Sequence, residues 1–236
     1  EGKPFVRIHG GGIRGGKTSI RGDISSQFIS GLLFACPKAK KNTEIAVTTP
    51  LESRNYVQIT MEVLDKHGIK VFVSPDFTRL RIPSNQKYNP CNHEVPGDFS
   101  SASFLLAAAA VMSSKVKVKN LDPHTNQGDR AILDILAEMG SKVKADDECV
   151  EVEGGQQFNA IDVDARDIPD LVPFCAVLAC YSRGTSKIYN AKRLRYKESD
   201  RLASLNAELN KMGAEIMIHE DSLTIRGPCA MHEATV

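Results

Sequence analysis

A run of charged residues, RLRYKESDRL, occupies Arg193–Leu202, directly before an apolar helical pattern. Lys197 and Glu198 are adjacent in it, and a lysine beside a carboxylate can move protons in general acid–base chemistry. Arg201 follows three residues after Glu198, where it can pair with that carboxylate or bind an anionic ligand. From the residues alone, the run predicts a site for an anionic ligand at a helix start.

The helical pattern after this run has an apolar stripe, formed by Leu202, Leu205, Leu209 and Met212. A helix that included Glu198 would direct its carboxylate along that stripe. Burial there would raise the pKa of Glu198, which suits a group that both gives and accepts a proton. The alternative is a solvated cluster of charges that only caps the helix.

Two serines, Ser25 and Ser26, precede an apolar helix pattern in the stretch GDISSQF. Their hydroxyls, together with the free N–H groups of a helix start, are suited to binding phosphate. Ordinary N-capping explains the same residues, because serine is a preferred N-cap type. Ser100 and Ser101 repeat the pattern in GDFSSAS, so both interpretations stay open from the residues alone.

Three segments of the chain follow one plan, and a glycine closes the second helix of each. Gly68, Gly140 and Gly213 lie 72 and 73 residues apart, and each suits a left-handed C-cap. Within a segment, a strand and an apolar helix are followed by a short strand, an amphipathic helix and two alternating strands. The predicted fold class is α/β with mixed sheets, built from three repeats of a βαβαββ unit.

A segment typical of a linker, PSNQKYNPCNHEVPG, separates the first repeat from the second. It contains three prolines together with Asn, Ser and Gly, a composition that favours loops between domains. We place a domain boundary near Pro96, which predicts domains of residues 1–96 and 97–236.

Composition restricts the class of ligand. Thirty basic and 29 acidic side chains give a net charge of +1, so we expect no nucleic-acid partner and a local anion site. The longest strictly apolar run, FLLAAAAVM, is too short to cross a bilayer, so no membrane association is expected.

The six cysteines form no C-x-x-C pair, which predicts reduced thiols, a cytoplasmic location and no bound metal.

The chain resembles the 5-enolpyruvylshikimate-3-phosphate (EPSP) synthase family, the 3-phosphoshikimate 1-carboxyvinyltransferases. The motifs SSQF, SRNYVQIT, GDFSSASFLLAAAA, IPD and YKESDR occur in the family's order. The resemblance implies a two-domain enolpyruvyl transferase architecture, an inside-out α/β barrel of βαβαββ units around a cleft. It also implies transfer of the enolpyruvyl group from phosphoenolpyruvate to the 5-hydroxyl of shikimate 3-phosphate, with release of phosphate, in the shikimate pathway.

The resemblance implies catalytic roles for three residues. Asp170 would bind the shikimate hydroxyls and take the proton of the attacking 5-hydroxyl, while Lys197 and Glu198 would stand at the reacting carbons. Arg201 would grip the carboxylate of phosphoenolpyruvate. From the residues alone, Asp170 could merely cap the apolar helix that follows it.

Binding roles are implied for a larger set. The implied substrate-binding residues are Ser25, Ser26, Gln27, Ser53, Tyr56, Asp170, Lys197 and Arg201. The three serines would hold the phosphate of shikimate 3-phosphate, with Gln27 and Tyr56 beside them, although Tyr56 could only pack at a helix start. Asp98 is similar to an acidic residue near the domain crossing.

The implied chemistry needs no metal and no organic cofactor, and the implied partners are the two small substrates of a monomeric enzyme. Family members carry further cationic residues and an Asn-Ala-Gly-Thr stretch that are missing here, so we expect an internal piece of a longer chain. Two alternatives stay open. One is a non-catalytic fragment that keeps only affinity for shikimate 3-phosphate, and the other is the related enolpyruvyl transferase that acts on UDP-N-acetylglucosamine.

Overall fold

The computed structural model describes residues 7–147, 149–155 and 157–235. Its contacts form two compact units. Unit 1 contains the described residues of Glu1–Leu51 and Val57–Asn92, and unit 2 contains those of Glu52–Tyr56 and His93–Val236. No helix within these described ranges is long and apolar enough to span a membrane. The assignment of residues 1–96 and 97–236 to two enzyme domains stays a prediction.

Unit 1 holds the first repeat. Its elements are β1 (Gly16–Ile20), α1 (Ser26–Ala35), β2 (Thr43–Val47), α2 (Arg54–Lys66), β3 (Phe72–Val73) and β4 (Arg79–Ile82), with the first turn of α2 counted in unit 2. The sheet order is β1-β2-β4-β3; β1 and β2 are parallel and the other pairs antiparallel. Ile29, Leu33 and Ile45 pack in its core.

Unit 2 holds the second and third repeats. The second repeat contains α3 (Phe99–Val111), β5 (Lys115–Lys119), α4 (Ile132–Met139), β6 (Lys142–Ala145) and β7 (Cys149–Glu153). The third contains β8 (Val163–Asp164), α5 (Val172–Tyr181), β9 (Gly184–Tyr189), α6 (Arg201–Lys211), β10 (Ile216–Ile218) and β11 (Leu223–Gly227). Their helices and sheets share one core, which includes Phe99, Leu136 and Leu202.

The sheet of the third repeat has the same strand order as the sheet of the first repeat. Its order, β8-β9-β11-β10, matches β1-β2-β4-β3 strand for strand, and its first two strands are again parallel. Gly68, Gly140 and Gly213 all have positive φ angles, of 76°, 114° and 91°, as the predicted left-handed C-caps require. The predicted βαβαββ order is confirmed for these two repeats.

The second repeat differs, because its predicted opening strand is wrong. Residues 83–98 are all described and contain no strand. Pro83, Pro90 and Pro96 lack the N–H that a ladder hydrogen bond needs, which explains the difference. The described sheet of this repeat therefore has three strands in the order β5-β7-β6, with β5 at one edge. The side chains of Lys115, Lys117 and Lys119 are exposed on β5.

Candidate active site

A cavity of about 450 Å³ in unit 2 lies at the N-terminal ends of three helices, α3, α5 and α6. Ser100 and Ser101 come from α3, Asp170 from the 3-10 turn before α5, and Glu198 and Arg201 from the start of α6. Helix N-termini carry free N–H groups and a positive dipole end, so this cavity favours an anionic ligand. A larger cavity of about 630 Å³, in unit 1, lies against the sheet and is lined by none of the predicted site residues.

Arg201 joins two carboxylates at this cavity. Its Nη1 donates to Asp170 Oδ1 at 2.6 Å, and its Nε and Nη2 donate to the two carboxylate oxygens of Glu198 at 3.0 and 3.2 Å. Burial alone would lower the pKa of Arg201, but the hydrogen bonds to Asp170 and Glu198 outweigh burial and raise it. Arg201 is therefore a fixed positive charge between the two predicted acidic residues.

Glu198 is not part of the helix, so the prediction of a buried glutamate with a raised pKa is wrong. Helix α6 begins at Arg201 because the carboxylate of Asp200 accepts a hydrogen bond from the N–H of Ala203 at 3.0 Å and caps it. The Glu198 side chain precedes that cap and is 68% exposed. Its own backbone N–H and the hydrogen bonds from Arg201 lower its pKa.

Lys197 immediately precedes Glu198 in extended backbone, with φ −81° and ψ −158°. Its side chain is half-buried. Burial, followed by the positive charges of Arg193 and Arg201, lowers the pKa of Lys197. A lysine whose pKa is lowered gives up a proton more readily, as acid–base chemistry requires.

Tyr56 and Asp170 are brought together, although they lie 114 residues apart in the sequence. The Tyr56 hydroxyl donates to Asp170 Oδ2 at 3.2 Å, while Asp170 Oδ1 accepts from Arg201. Burial, with the nearby charges of Asp129 and Asp170, raises the pKa of Tyr56. Both oxygens of Asp170 are thus oriented by donors, which fixes the direction of the carboxylate.

Asp129 is a buried carboxyl beside this site that the sequence did not indicate. It lies in the 3-10 turn before α4, is 1% exposed and accepts a hydrogen bond from the hydroxyl of Ser100. Burial, assisted by the charges of Asp170 and Asp98, raises the pKa of Asp129 to about 6. The available signal was the recurring Asp-Arg pair, which is Asp129-Arg130 in the second repeat and Asp200-Arg201 in the third.

Arg193 is a second residue that the sequence reasoning missed, although it opens the charged run. Its Nη2 donates to the hydroxyl oxygen of Ser53 at 2.6 Å and also to the carbonyl of Arg166. Its Nε lies 3.0 Å from a carboxylate oxygen of Glu52. Ser53 is buried and has a φ of 51°, an uncommon conformation for serine that these contacts hold in place.

The remaining predicted residues lie at two helix starts. In unit 1, Ser25 caps α1 by accepting from the N–H of Gln27 at 3.3 Å; Ser26 is buried and Gln27 is exposed. In unit 2, Asp98 caps α3 and accepts from the N–H groups of Ser100 and Ser101. Burial would raise the pKa of Asp98, but these hydrogen bonds lower it.

Comparison with known protein families gives the chain a context. The family model described as EPSP synthase (3-phosphoshikimate 1-carboxyvinyltransferase) matches residues 1–236. The chain belongs to the EPSP synthase family. This membership confirms the resemblance that the five ordered motifs indicated.

Relatives in the EPSP synthase family are similar along nearly all of the chain. One from Methanocaldococcus jannaschii, named 3-phosphoshikimate 1-carboxyvinyltransferase, is 44% identical over 227 residues, which cover 96% of this chain and 52% of the relative. One of the same name from Methanocella arvoryzae is 50% identical over 222 residues, covering 93% of this chain and 51% of the relative. The chain therefore spans about half the length of the curated relatives it matches.

Solved structures support the EPSP synthase fold. An EPSP synthase from Acinetobacter baumannii matches with a TM-score of 0.72 at 22% identity, over 92% of this chain and 49% of that one. The enolpyruvyl transferase NikO from Streptomyces tendae matches with a TM-score of 0.67 at 18% identity, over 91% of this chain and 52% of that one. These likenesses, with the mixed sheets described above, confirm the predicted fold class.

Proposed function

We propose that this chain carries part of the active site of an enzyme that transfers the enolpyruvyl group of phosphoenolpyruvate to the 5-hydroxyl of shikimate 3-phosphate and releases phosphate. The observation that carries the proposal is Arg201, which hydrogen-bonds to both Asp170 and Glu198 beside one cavity of unit 2 in a member of the EPSP synthase family. A cytoplasmic, monomeric enzyme without a cofactor completes the proposal.

The reaction requires three proton movements, one at the 5-hydroxyl oxygen and two at C3. The 5-hydroxyl loses a proton as its oxygen adds to C2 of phosphoenolpyruvate, and C3 gains a proton. The tetrahedral intermediate then loses phosphate while C3 returns a proton. Asp170 is the proposed acceptor of the hydroxyl proton, since Tyr56 and Arg201 orient its two oxygens. Lys197 and Glu198 are the proposed donor and acceptor at C3.

Substrate binding would change the charge environment of Glu198. The Nε and Nη2 edge of Arg201 is the fork that matches a carboxylate in two parallel hydrogen bonds, and Glu198 occupies it here. A phosphoenolpyruvate carboxylate bound to that edge would displace Glu198. Because the Arg201 hydrogen bonds lower the pKa of Glu198, their loss would raise this pKa and prepare Glu198 to hold a proton.

The phosphate of shikimate 3-phosphate is the proposed ligand of the serines. Ser25 and Ser26 have hydroxyls at the start of α1, and Gln27 lies beside them. The hydroxyl oxygen of Ser53 accepts a hydrogen bond from Arg193. The hydroxyl hydrogen of Ser53 can therefore rotate and donate to a ligand. Arg193 adds a positive charge close to Ser53. In the proposal these residues have a binding role and perform no proton transfer.

The proposal is tested with the 236-residue chain by calorimetry with shikimate 3-phosphate and then by release of inorganic phosphate from phosphoenolpyruvate. We expect Glu198→Gln to retain binding and to lose turnover by about 100-fold or more, since general acid–base groups contribute at least that much. Glu208→Gln is the matched control, because Glu208 lies on α6, the helix that follows Glu198, and pairs with Lys211 at the surface. The control should keep the parent's rate.

The alternatives give different results in the same experiment. Binding of shikimate 3-phosphate without phosphate release by the unaltered chain would overturn catalysis by this chain and support the non-catalytic fragment, which its length of about half a relative favours. Binding of UDP-N-acetylglucosamine in place of shikimate 3-phosphate would overturn the proposed substrate. Equal rates for Glu198→Gln and Glu208→Gln would overturn the role of Glu198.

A further inference from the structure

Asp129 is a buried acid for which the proposed reaction has no use so far. Its Oδ2 accepts from the hydroxyl of Ser100. Its Oδ1 makes no hydrogen bond of normal geometry within the part of the chain that the structure describes. A buried carboxyl oxygen without a hydrogen-bond donor is costly, and a proton on the carboxyl would remove the buried charge.

Tyr56 connects Asp129 with the cavity. The one hydroxyl proton of Tyr56 is directed to Asp170, and the same hydroxyl lies close enough to Asp129 to donate to that carboxyl instead. A phenol can accept a proton on its oxygen while it donates its own. The Tyr56 oxygen is therefore shared by one carboxyl that lines the cavity and one that is buried.

The groups that face Asp129 are mostly acidic. Asp98 at the start of α3 and Asp170 before α5 raise its pKa by their charge, while Ser100 and Tyr56 lower it by hydrogen bonding. Cys175 of α5 also faces it, and burial together with the charge of Asp129 raises the pKa of this thiol to about 12. The balance of these effects raises the pKa of Asp129 to about 6.

We propose that Asp129 is the inner end of a proton relay that runs from Asp170 through the hydroxyl of Tyr56. The inference rests on the proposed function, in which Asp170 takes the proton of the substrate hydroxyl. The substrate O–H bond breaks as an Asp170 O–H bond forms; Asp170 then passes that proton to the Tyr56 oxygen while the original Tyr56 proton moves to Asp129. One proton has moved from the substrate to Asp129, and no other bond changes.

The ion pair at the cavity explains why the proton moves inward. Asp170 is bound to Arg201 at 2.6 Å, and this pair is intact only while Asp170 is charged. In contrast, Asp129 forms no ion pair with a residue that the structure describes, and it is nearly inaccessible to solvent. A proton on Asp129 therefore removes a buried charge and restores the Arg201 pair at the same time. Asp129 touches no substrate in this scheme and is a positioning and proton-storage residue.

The relay is tested first without any substrate. In the 236-residue chain labelled with ¹³C at aspartate, the carboxyl carbon that disappears in Asp129→Asn should titrate near pH 6. Asp170→Asn should lower that pKa by about one unit, since it removes a nearby charge, and Tyr56→Phe should raise it, since it removes a hydrogen bond to the charged form. Glu138→Gln, an exposed change on α4, is the control and should leave it unchanged.

The second test follows the pH profile of turnover in the same variants. Asp129→Asn should lower kcat, leave KM for both substrates unchanged and abolish the limb of the profile near pH 6. A residue that only joined α3 to α4 would not move that limb. A pKa of Asp129 near its ordinary value of 3.8 would overturn the relay. A pKa of Asp129 that changes in neither Tyr56→Phe nor Asp170→Asn would also overturn it.

Different results would overturn the proposed function and the proton relay. Coupled titrations of the three groups in a chain that does not bind shikimate 3-phosphate would overturn the proposed function and leave the proton coupling standing. Uncoupled titrations in a chain that binds this substrate would overturn the relay and leave the proposed function standing. Circular dichroism of each variant checks that the fold is retained, and asparagine keeps the shape of Asp129 and an oxygen that can accept from Ser100.

Discussion

Replacement of Asp129 by asparagine should remove a pH dependence from the stability of unit 2. Burial raises the pKa of Asp129 from 3.8 to about 6 in the folded chain. The folded state therefore binds this proton more tightly than the unfolded state. The stabilising effect of the bound proton is complete below the unfolded pKa and is lost as the pH rises through the folded pKa.

The size of the effect follows from the shift. A difference of about two units, at about 1.4 kcal/mol for each unit, corresponds to a loss of about 3 kcal/mol between about pH 3 and about pH 7. Asp129 is 1% exposed, so screening by water reduces this value little. The Asp129→Asn chain has no proton to lose at this position. Its free energy of unfolding, relative to that of the parent chain, should therefore rise by about 3 kcal/mol over the same range.

Urea unfolding at a series of pH values measures this difference. Circular dichroism follows the whole chain, and pulsed alkylation of Cys180, a buried thiol of α5, reports on unit 2 in particular. Asp134→Asn is the control, because Asp134 is an exposed acid of α4 that pairs with Arg130 at the surface. Parallel stability curves for the parent and Asp129→Asn across this range would refute the reasoning.

Two further changes test other contacts of unit 2 by urea unfolding. Arg193→Met should lower the free energy of unfolding by about 3 kcal/mol, because it removes the guanidinium from a largely buried ion pair with Glu52. Adding Glu52→Gln should recover part of that loss, and full stability of Arg193→Met alone would contradict the pairing. Asp98→Ala should cost about 1 kcal/mol by removing the cap of α3. Asp98→Asn should retain most of the capping, so equal losses for the two variants would argue against a cap.

The repeated fold could be predicted from the sequence because its signals are local. The glycine C-caps and the change from helical to alternating patterns lie within each repeat, and they recur at Gly68, Gly140 and Gly213. The prediction of an opening strand in the second repeat was wrong for a local reason as well. The prolines of residues 83–97 favour a linker over a strand. The composition of this segment therefore predicted its structure better than the repeat pattern did.

The candidate site was predictable in part. The charged run pointed to Arg201 and Glu198, which do meet, but the start of α6 depends on which side chain caps it. Capping by Asp200 moves Glu198 out of the helix and into solvent. The contacts of Asp129 and Arg193 were hidden because their partners lie far along the chain, 29 residues away at Ser100 and 140 residues away at Ser53. The catalytic and binding roles of the predicted residues stay predictions.

The open edge of the three-stranded sheet has a consequence for how the chain behaves at high concentration. A strand at an edge offers its outer N–H and C=O groups to any other strand, so a long apolar edge invites chains to join one another. On β5 the side chains of Lys115, Lys117 and Lys119 project on one face at alternate positions. Lys115 and Lys117 pair with Glu151 on the neighbouring strand β7, so another strand that joined this edge would have to displace water from charged side chains. The described sheet of the second repeat thus has no fourth strand, and charged side chains on β5 oppose aggregation at its edge.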